Sequence, residues 1–202
     1  MTFFATVKHH FLEVPSDGRI CTKTFLDACS SIVPFFDILG ATAFAPAKSD
    51  INGNISKLTK KYETDRERFA VLQAFVEIEK AEGTTKAKNS ATDALLWLKR
   101  SLEFIGVFLA DVLTGQPDLS KCAKKAYEAS LKKYHGWMVQ GIFSLAMKAV
   151  PYRENFIAAL ANGASEEEVL KDMQVHVQLM GKNIEVINDF YAKMGEDKHD
   201  KV

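Results

Sequence analysis

The stretch from Ser90 to Leu113 constrains this chain most, because read as a helix it is apolar on two opposite faces. At about 100° per residue, Leu95, Leu98, Leu102, Leu109 and Leu113 form one stripe, while Trp97, Phe104 and Phe108 lie on the other side. A helix at a protein surface needs one apolar face. A helix with two belongs between two layers, or between a core on one side and an apolar cavity on the other. Each aromatic alone reads as second-layer core; three together beside Asp93 and Arg100 also fit a pocket wall.

The rest of the chain agrees with a helical protein. Apolar residues recur at helical spacing almost throughout, and alternating β-branched runs of strand type are absent. The pattern predicts an all-α fold of about eight helices. A short one spans Phe4 to Glu13, and a second runs from Thr22 to Leu39 with Pro34 bending or breaking it. A third starts near Ser49 or Asp50 and passes Tyr62, and a fourth covers Asp65 to Ala81. The two-faced helix follows. A helix after "TGQPD" runs through Lys133 and on through His135 to end before Pro151. "YRENFIAALANG" makes another, and the last runs from a capping box at Ser165 and Glu168 to Met194. The charged tail "GEDKHDKV" is expected to fray.

With 202 residues, 47% of them hydrophobic, the chain is long enough for one domain over 1–202. Twenty-six basic residues balance 26 acidic ones, so no global field points to nucleic acid. The distribution is uneven: Lys121 to Arg153 holds seven basic residues against the single acid Glu128. Cys21, Cys29 and Cys122 lack zinc-site or disulfide-framework spacing and are expected as reduced, half-buried packing residues. No signal-type or membrane-spanning run occurs, so a cytoplasmic, soluble protein is the expectation; charge and fold suggest a monomer, and with no metal-ligand set visible no metal or cofactor is expected.

Two polar features stand out. Asp50, Asn54 and Lys57 fall at i, i+4 and i+7, a spacing that puts a carboxylate, an amide and an ammonium on one helix face. Such a face is either simply solvated or a platform for several hydroxyls. In "KKYHGWMVQG", read as continuous helix, Tyr127, Leu131, Tyr134, Met138, Ile142 and Leu145 make the apolar side. His135 then points inward and Trp137 outward. An outward indole among lysines suits a membrane interface, and also suits packing under a loop.

The segments "FFDILG", "DINGNISK", "LLWLKRSLEFIGVFL" and "KAYEASLKKYHGWMVQ", followed by "PY" at Pro151, resemble the glycolipid transfer protein family over nearly the whole chain. The resemblance implies an all-α, two-layer helical sandwich that holds one glycosphingolipid, such as galactosylceramide, glucosylceramide or lactosylceramide, without catalysing any reaction. By that likeness Asp50, Asn54 and Lys57 would bond the sugar and ceramide amide region, Trp97 would stack under the first sugar ring, and His135 would bond the amide carbonyl. Phe35, Phe36, Leu39, Phe44, Phe104, Phe108, Leu131 and Phe143 would line the hydrocarbon cavity. Trp137, with Lys132 and Lys133, would dock transiently on a membrane surface.

Three positions depart from animal members. Asp200 stands where they carry the tyrosine of a C-terminal "YKV", whose ring helps close the site; Asp93 replaces an apolar residue, and Lys148 a tyrosine. Alternatives remain at this level. Ceramide phosphate transfer would use a cationic cluster in place of the tryptophan platform. A lipid-occupancy sensor would act through a protein partner, and a hydrolase would pair His135 with Asp50 as base and orienting acid.

Overall fold

A computed structural model describes all 202 residues. It contains ten α-helices: α1 (Phe3–Thr6), α2 (Thr22–Ile32), α3 (Phe35–Gly40), α4 (Ala45–Thr64), α5 (Leu72–Ala81), α6 (Ala91–Leu113), α7 (Leu119–Ser130), α8 (Trp137–Lys148), α9 (Arg153–Ala161) and α10 (Glu166–Met194). A 3-10 turn at Lys132–Tyr134 joins α7 to α8. The two helices beyond the expected eight arise where Pro34 separates α2 from α3 and where the chain breaks at His135 and Gly136.

The two-faced helix is the centre of a two-layer helical sandwich. α6 contacts α4, α5, α7 and α10, and 16 of its 23 residues are buried. Its start is strongly defined. The Ser90 hydroxyl accepts from Asp93 N at 3.1 Å, and the buried Glu79 carboxylate of α5 accepts from Ala91 N, Thr92 N and the Thr92 hydroxyl at 2.7–2.9 Å. Those free N–H groups and the positive helix end satisfy a charge that would otherwise be costly to bury. At the far side, Tyr191 of α10 donates its hydroxyl to Thr92 O at 2.7 Å.

α10 begins as expected, with both halves of the Ser165–Glu168 capping box formed, and ends on Gly195 in the left-handed conformation (φ 67°). Four other expectations fail. α1 is one turn, and residues 7–14 run on as an extended strap whose Phe11 is buried. α4 begins at Ala45, with Pro46 in its first turn. Residues 65–70 form turns, because Asp65 leaves the helical conformation and two long-range bonds hold the segment beyond it: Thr22 donates its hydroxyl to Phe69 O at 2.7 Å, and Leu72 N bonds Ile20 O at 2.9 Å. The cysteines are all free, but Cys21 is exposed while Cys29 and Cys122 are fully buried, so none is half-buried.

The tail does not fray; it is tied across α6. Arg100, 1% exposed, donates to Asp197 Oδ1 at 3.2 Å and to the Lys198 carbonyl. Lys198 reaches Thr85 O at 3.2 Å, and the His199 ring stacks on Tyr134 at 5.7 Å and 12°. Backbone bonds then pair Val202 with Tyr134 and Gly136, at 3.0 and 2.6 Å. A buried guanidinium that needed partners supplied the reason for this order.

No helix is long and apolar enough to cross a membrane. No group of three or more His, Cys, Asp or Glu is placed to hold a metal ion.

Candidate functional site

One cavity of about 390 Å³ brings the polar and aromatic candidates together. α4 supplies Asp50, Asn54 and Lys57 on one face, as their spacing requires, and α6 supplies Asp93, Trp97, Ser101 and Phe104. The α7–α8 connection supplies Leu131 and His135, α8 supplies Val139, Ile142 and Phe143, and Val202 of the tail completes the rim. The lining combines charged and amide groups with aromatic rings and aliphatic chains. Such a lining suits an amphiphile.

At the mouth, the Asn54 amide nitrogen donates to Asp50 Oδ2 at 3.1 Å. Asn54 is buried, so its bond holds a carboxylate that itself stays accessible. Neighbouring protein strips water from Asp50 and raises its pKa above the usual carboxylate value; Lys57 and the Asn54 bond oppose that rise, and the negative Asp93 adds to it. Lys57 is exposed and has no ion-pair partner. Its three donors remain free.

Trp97 is half-buried and held by its neighbours. Its ring lies parallel to the His135 ring, 5.9 Å away at 12°, and edge-on to Tyr134 at 6.3 Å, with the Arg100 guanidinium 5.0 Å from its centroid. That guanidinium is also 3.4 Å from the Tyr134 centroid. Arg100 therefore clamps rings and tail together and does not line the cavity. A phosphate-binding role for it has no geometric basis here.

His135 is 5% exposed. Burial first, and the positive Arg100 second, push its pKa down to about 4, so the ring is neutral at physiological pH. Its Nδ1 is 3.0 Å from the Tyr127 hydroxyl, and its carbonyl accepts from Gln140 Nε2 at 2.8 Å. Asp50 and His135 share the cavity but no hydrogen bond. The base-and-acid pair of the hydrolase reading does not form, because Asn54 and Tyr127 take those positions.

The expected hydrocarbon-cavity residues divide. Phe36, Phe104, Leu131 and Phe143 line the cavity. Phe35, Leu39, Phe44 and Phe108 do not; they are at most 1% exposed, and the phenylalanines pack ring against ring, with Phe35 and Phe108 centroids 6.0 Å apart and Phe44 and Phe104 6.5 Å apart. At about 390 Å³ the cavity is near the small end of ligand pockets.

The break at Gly136 changes the reading of α8. Leu131 and Tyr134 are buried, but Met138, Ile142 and Leu145, which helical periodicity assigns to the same apolar side, are 63%, 45% and 69% exposed. With Trp137 at 83% they make α8 an outward apolar face. Lys132 and Lys133 part company beside it. Lys132 pairs with Glu128 at 3.1 Å in the groove between α7 and α8, while Lys133 lies over the Tyr134 ring at 4.8 Å, in a different cleft with Lys99 and Asp197. Trp137 points outward as expected, yet because it starts a new helix.

Sequence reasoning did not single out Tyr127, Ser101, Val139 or Val202. Helical periodicity assigns Tyr127 to the apolar face, and only its hydroxyl, which periodicity ignores, distinguishes it. Val202 carries no local signal, since its place depends on the tail crossing α6.

Comparison with known proteins identifies the family and the fold. The family described as Glycolipid transfer protein (GLTP) matches residues 20–162. The chain is 38% identical over its whole length to human Pleckstrin homology domain-containing family A member 8, and 39% identical over 96% of its length to the Danio rerio protein of that name. These alignments cover 40% and 37% of those proteins, so the chain spans about two fifths of their length. Among solved structures, one describing how FAPP2 selects simple glycosphingolipids using the GLTP fold superposes with a TM-score of 0.92 at 36% identity, covering all of both chains. HET-C2, a fungal glycolipid transfer protein, gives 0.85 at 33% identity over 95% of this chain and 97% of that one. Human ceramide-1-phosphate transfer protein gives 0.83 at 20% identity over 98% and 96%, a likeness of fold. On the matched residues and these relatives, the chain belongs to the glycolipid transfer protein family.

Proposed function

We propose that this chain binds one glycosphingolipid with an uncharged sugar head group and carries it between membranes without altering it. The observation that carries this reading is the convergence of Asp50, Asn54 and Lys57 with Trp97 and His135 at a cavity whose remaining lining is largely aromatic and aliphatic. A sugar ring has apolar faces and polar edges. The indole matches the faces, while the carboxylate, amide and ammonium match the hydroxyls.

The energetics suit a carrier. Each buried methylene gains about 0.8 kcal/mol over water, but bilayer hydrocarbon provides the same gain. The chains therefore contribute little net preference for protein over membrane, and the head-group bonds set selectivity. Neutrality of the head group follows from charge: Asp50 and Asp93 face the mouth against the single Lys57, an arrangement that disfavours a phosphate. Ceramide phosphate would need a free cation beside Lys57, and Arg100 is committed to the tail.

Docking follows from α8. Trp137, Met138, Ile142 and Leu145 form an exposed apolar face larger than a scatter of single side chains, beside Lys124, Lys132 and Lys148 of the α7–α8 groove. An indole at headgroup depth with lysines against anionic lipid would bring the cavity rim, through Ile142, to the bilayer surface. In this reading the chain acts as a peripheral, cytoplasmic monomer. The two tryptophans give a direct test. In Trp137→Phe protein Trp97 is the remaining indole, and its emission is expected to change with vesicles containing galactosylceramide but not with phosphatidylcholine alone. No change with the glycolipid removes Trp97 from the head-group site.

A further inference from the structure

We infer that Tyr127 is a positioning residue that fixes the tautomer of His135, so that the ring presents a hydrogen-bond donor and not an acceptor to the ligand. This rests on the lipid-binding reading above. Tyr127 lies on α7, is 3% exposed, and its hydroxyl bonds only to His135 Nδ1, at 3.0 Å. His135 Nε2 has no protein partner and is not sealed in the interior, and His135 lines the cavity.

Two arrangements of protons can make the Tyr127–His135 bond. In one, the phenol donates to Nδ1, and the imidazole proton sits on Nε2. In the other, Nδ1–H donates to the phenol oxygen, which leaves the buried phenolic proton without an acceptor. The first satisfies both the phenol and Nδ1, and the second strands a donor in the interior. Ionisation offers no third way: burial holds the phenol near pKa 12 and, with Arg100, the imidazole near 4.

The rings cannot turn to present another atom. Tyr127 stacks on Phe143 at 4.9 Å and 10°, Phe143 also meets His135 at 5.0 Å, and Trp97 lies parallel to His135 on α6. Nε2–H is therefore a fixed donor on a ring that lines the cavity. A carbonyl oxygen satisfies it; an ammonium at the same depth meets a proton with a proton. Tyr127 is thus a positioning residue that acts through His135.

The test uses Tyr127→Phe, which keeps the stacked ring and removes only the hydroxyl. Nitrogen-15 NMR of the lipid-free protein is expected to place the His135 proton on Nε2 in wild type and to give a mixed or reversed tautomer in the variant. Affinity for galactosylceramide is expected to fall about tenfold, while affinity for galactosylsphingosine, which has no acyl carbonyl, stays level or rises. An unchanged Nε2 tautomer in the variant, or equal losses for both lipids, overturns the proposal and leaves Tyr127 a packing residue. The NMR arm needs no ligand. A wild-type protein that binds neither lipid would overturn the glycolipid reading, while the tautomer result would stand or fall on its own.

Discussion

His135 and His176 are buried alike, each 5% exposed, and each has its pKa pushed to about 4 chiefly by burial. They differ in what surrounds their nitrogens. His135 is bonded to Tyr127 and lines the 390 Å³ cavity together with Asp50, Asn54, Lys57 and Trp97. His176 sits on α10 between Phe4 and Phe11, at 5.1 and 5.5 Å, with both nitrogens unpartnered beside a cavity of about 120 Å³. Burial and a shifted pKa do not by themselves mark a functional residue. Convergence of complementary groups on an accessible space does.

That comparison can be broken by experiment. The largest effect is expected at the converging site: Asp50→Ala should lower galactosylceramide transfer by about 100-fold through loss of charge-assisted bonds, with helicity by circular dichroism unchanged. His176→Phe should transfer within about twofold of wild type. Equal effects of the two substitutions would erase the distinction.

The two histidines also predict an acid response. Their folded pKa values lie below the ordinary 6.5, so between pH 6.5 and about 4 the unfolded chain binds more protons. Stability therefore declines as pH falls through that window, and the loss is complete below it. His176→Phe should recover roughly 2 kcal/mol of this acid loss, measured by denaturant unfolding at pH 4 against pH 7, because it removes one group whose pKa is depressed by folding. An unchanged acid loss would show that the fold does not depress the His176 pKa.

Smaller effects probe the neighbouring surfaces. Trp137→Ala should slow transfer about tenfold and weaken vesicle association, while binding of soluble short-chain glycolipid stays near wild type. Asp93→Leu should change galactosylceramide affinity only about two- to threefold. It should also move the pH below which binding weakens downward, since Asp93 is one cause of the raised Asp50 pKa. Titration of binding against pH measures that midpoint.

The sequence revealed some of this plainly and some not at all. The two-faced pattern of α6 foretold its central place, because burial on both faces leaves its mark in every turn. The i, i+4, i+7 spacing on α4 put three polar groups on one face, and α4 turned that face into the cavity. Pro34 and the Ser165–Glu168 box marked boundaries through local chemistry. What failed was non-local. Periodicity ran unbroken across Gly136, whose N–H is taken by Val202 of the tail, so α8's outward apolar residues were assigned to the core. Likewise a charged tail reads as frayed until a buried Arg100 is seen to hold it.

The central claim is that the mouth of the α4–α6 cavity selects a sugar on a ceramide. Transfer of fluorescent galactosylceramide between vesicles, run beside ceramide phosphate and phosphatidylcholine analogues, tests it most directly. Selective movement of the galactosylceramide is predicted. Movement of the phosphate analogue alone would contradict the account and shift the site to Lys57 and a rearranged Arg100.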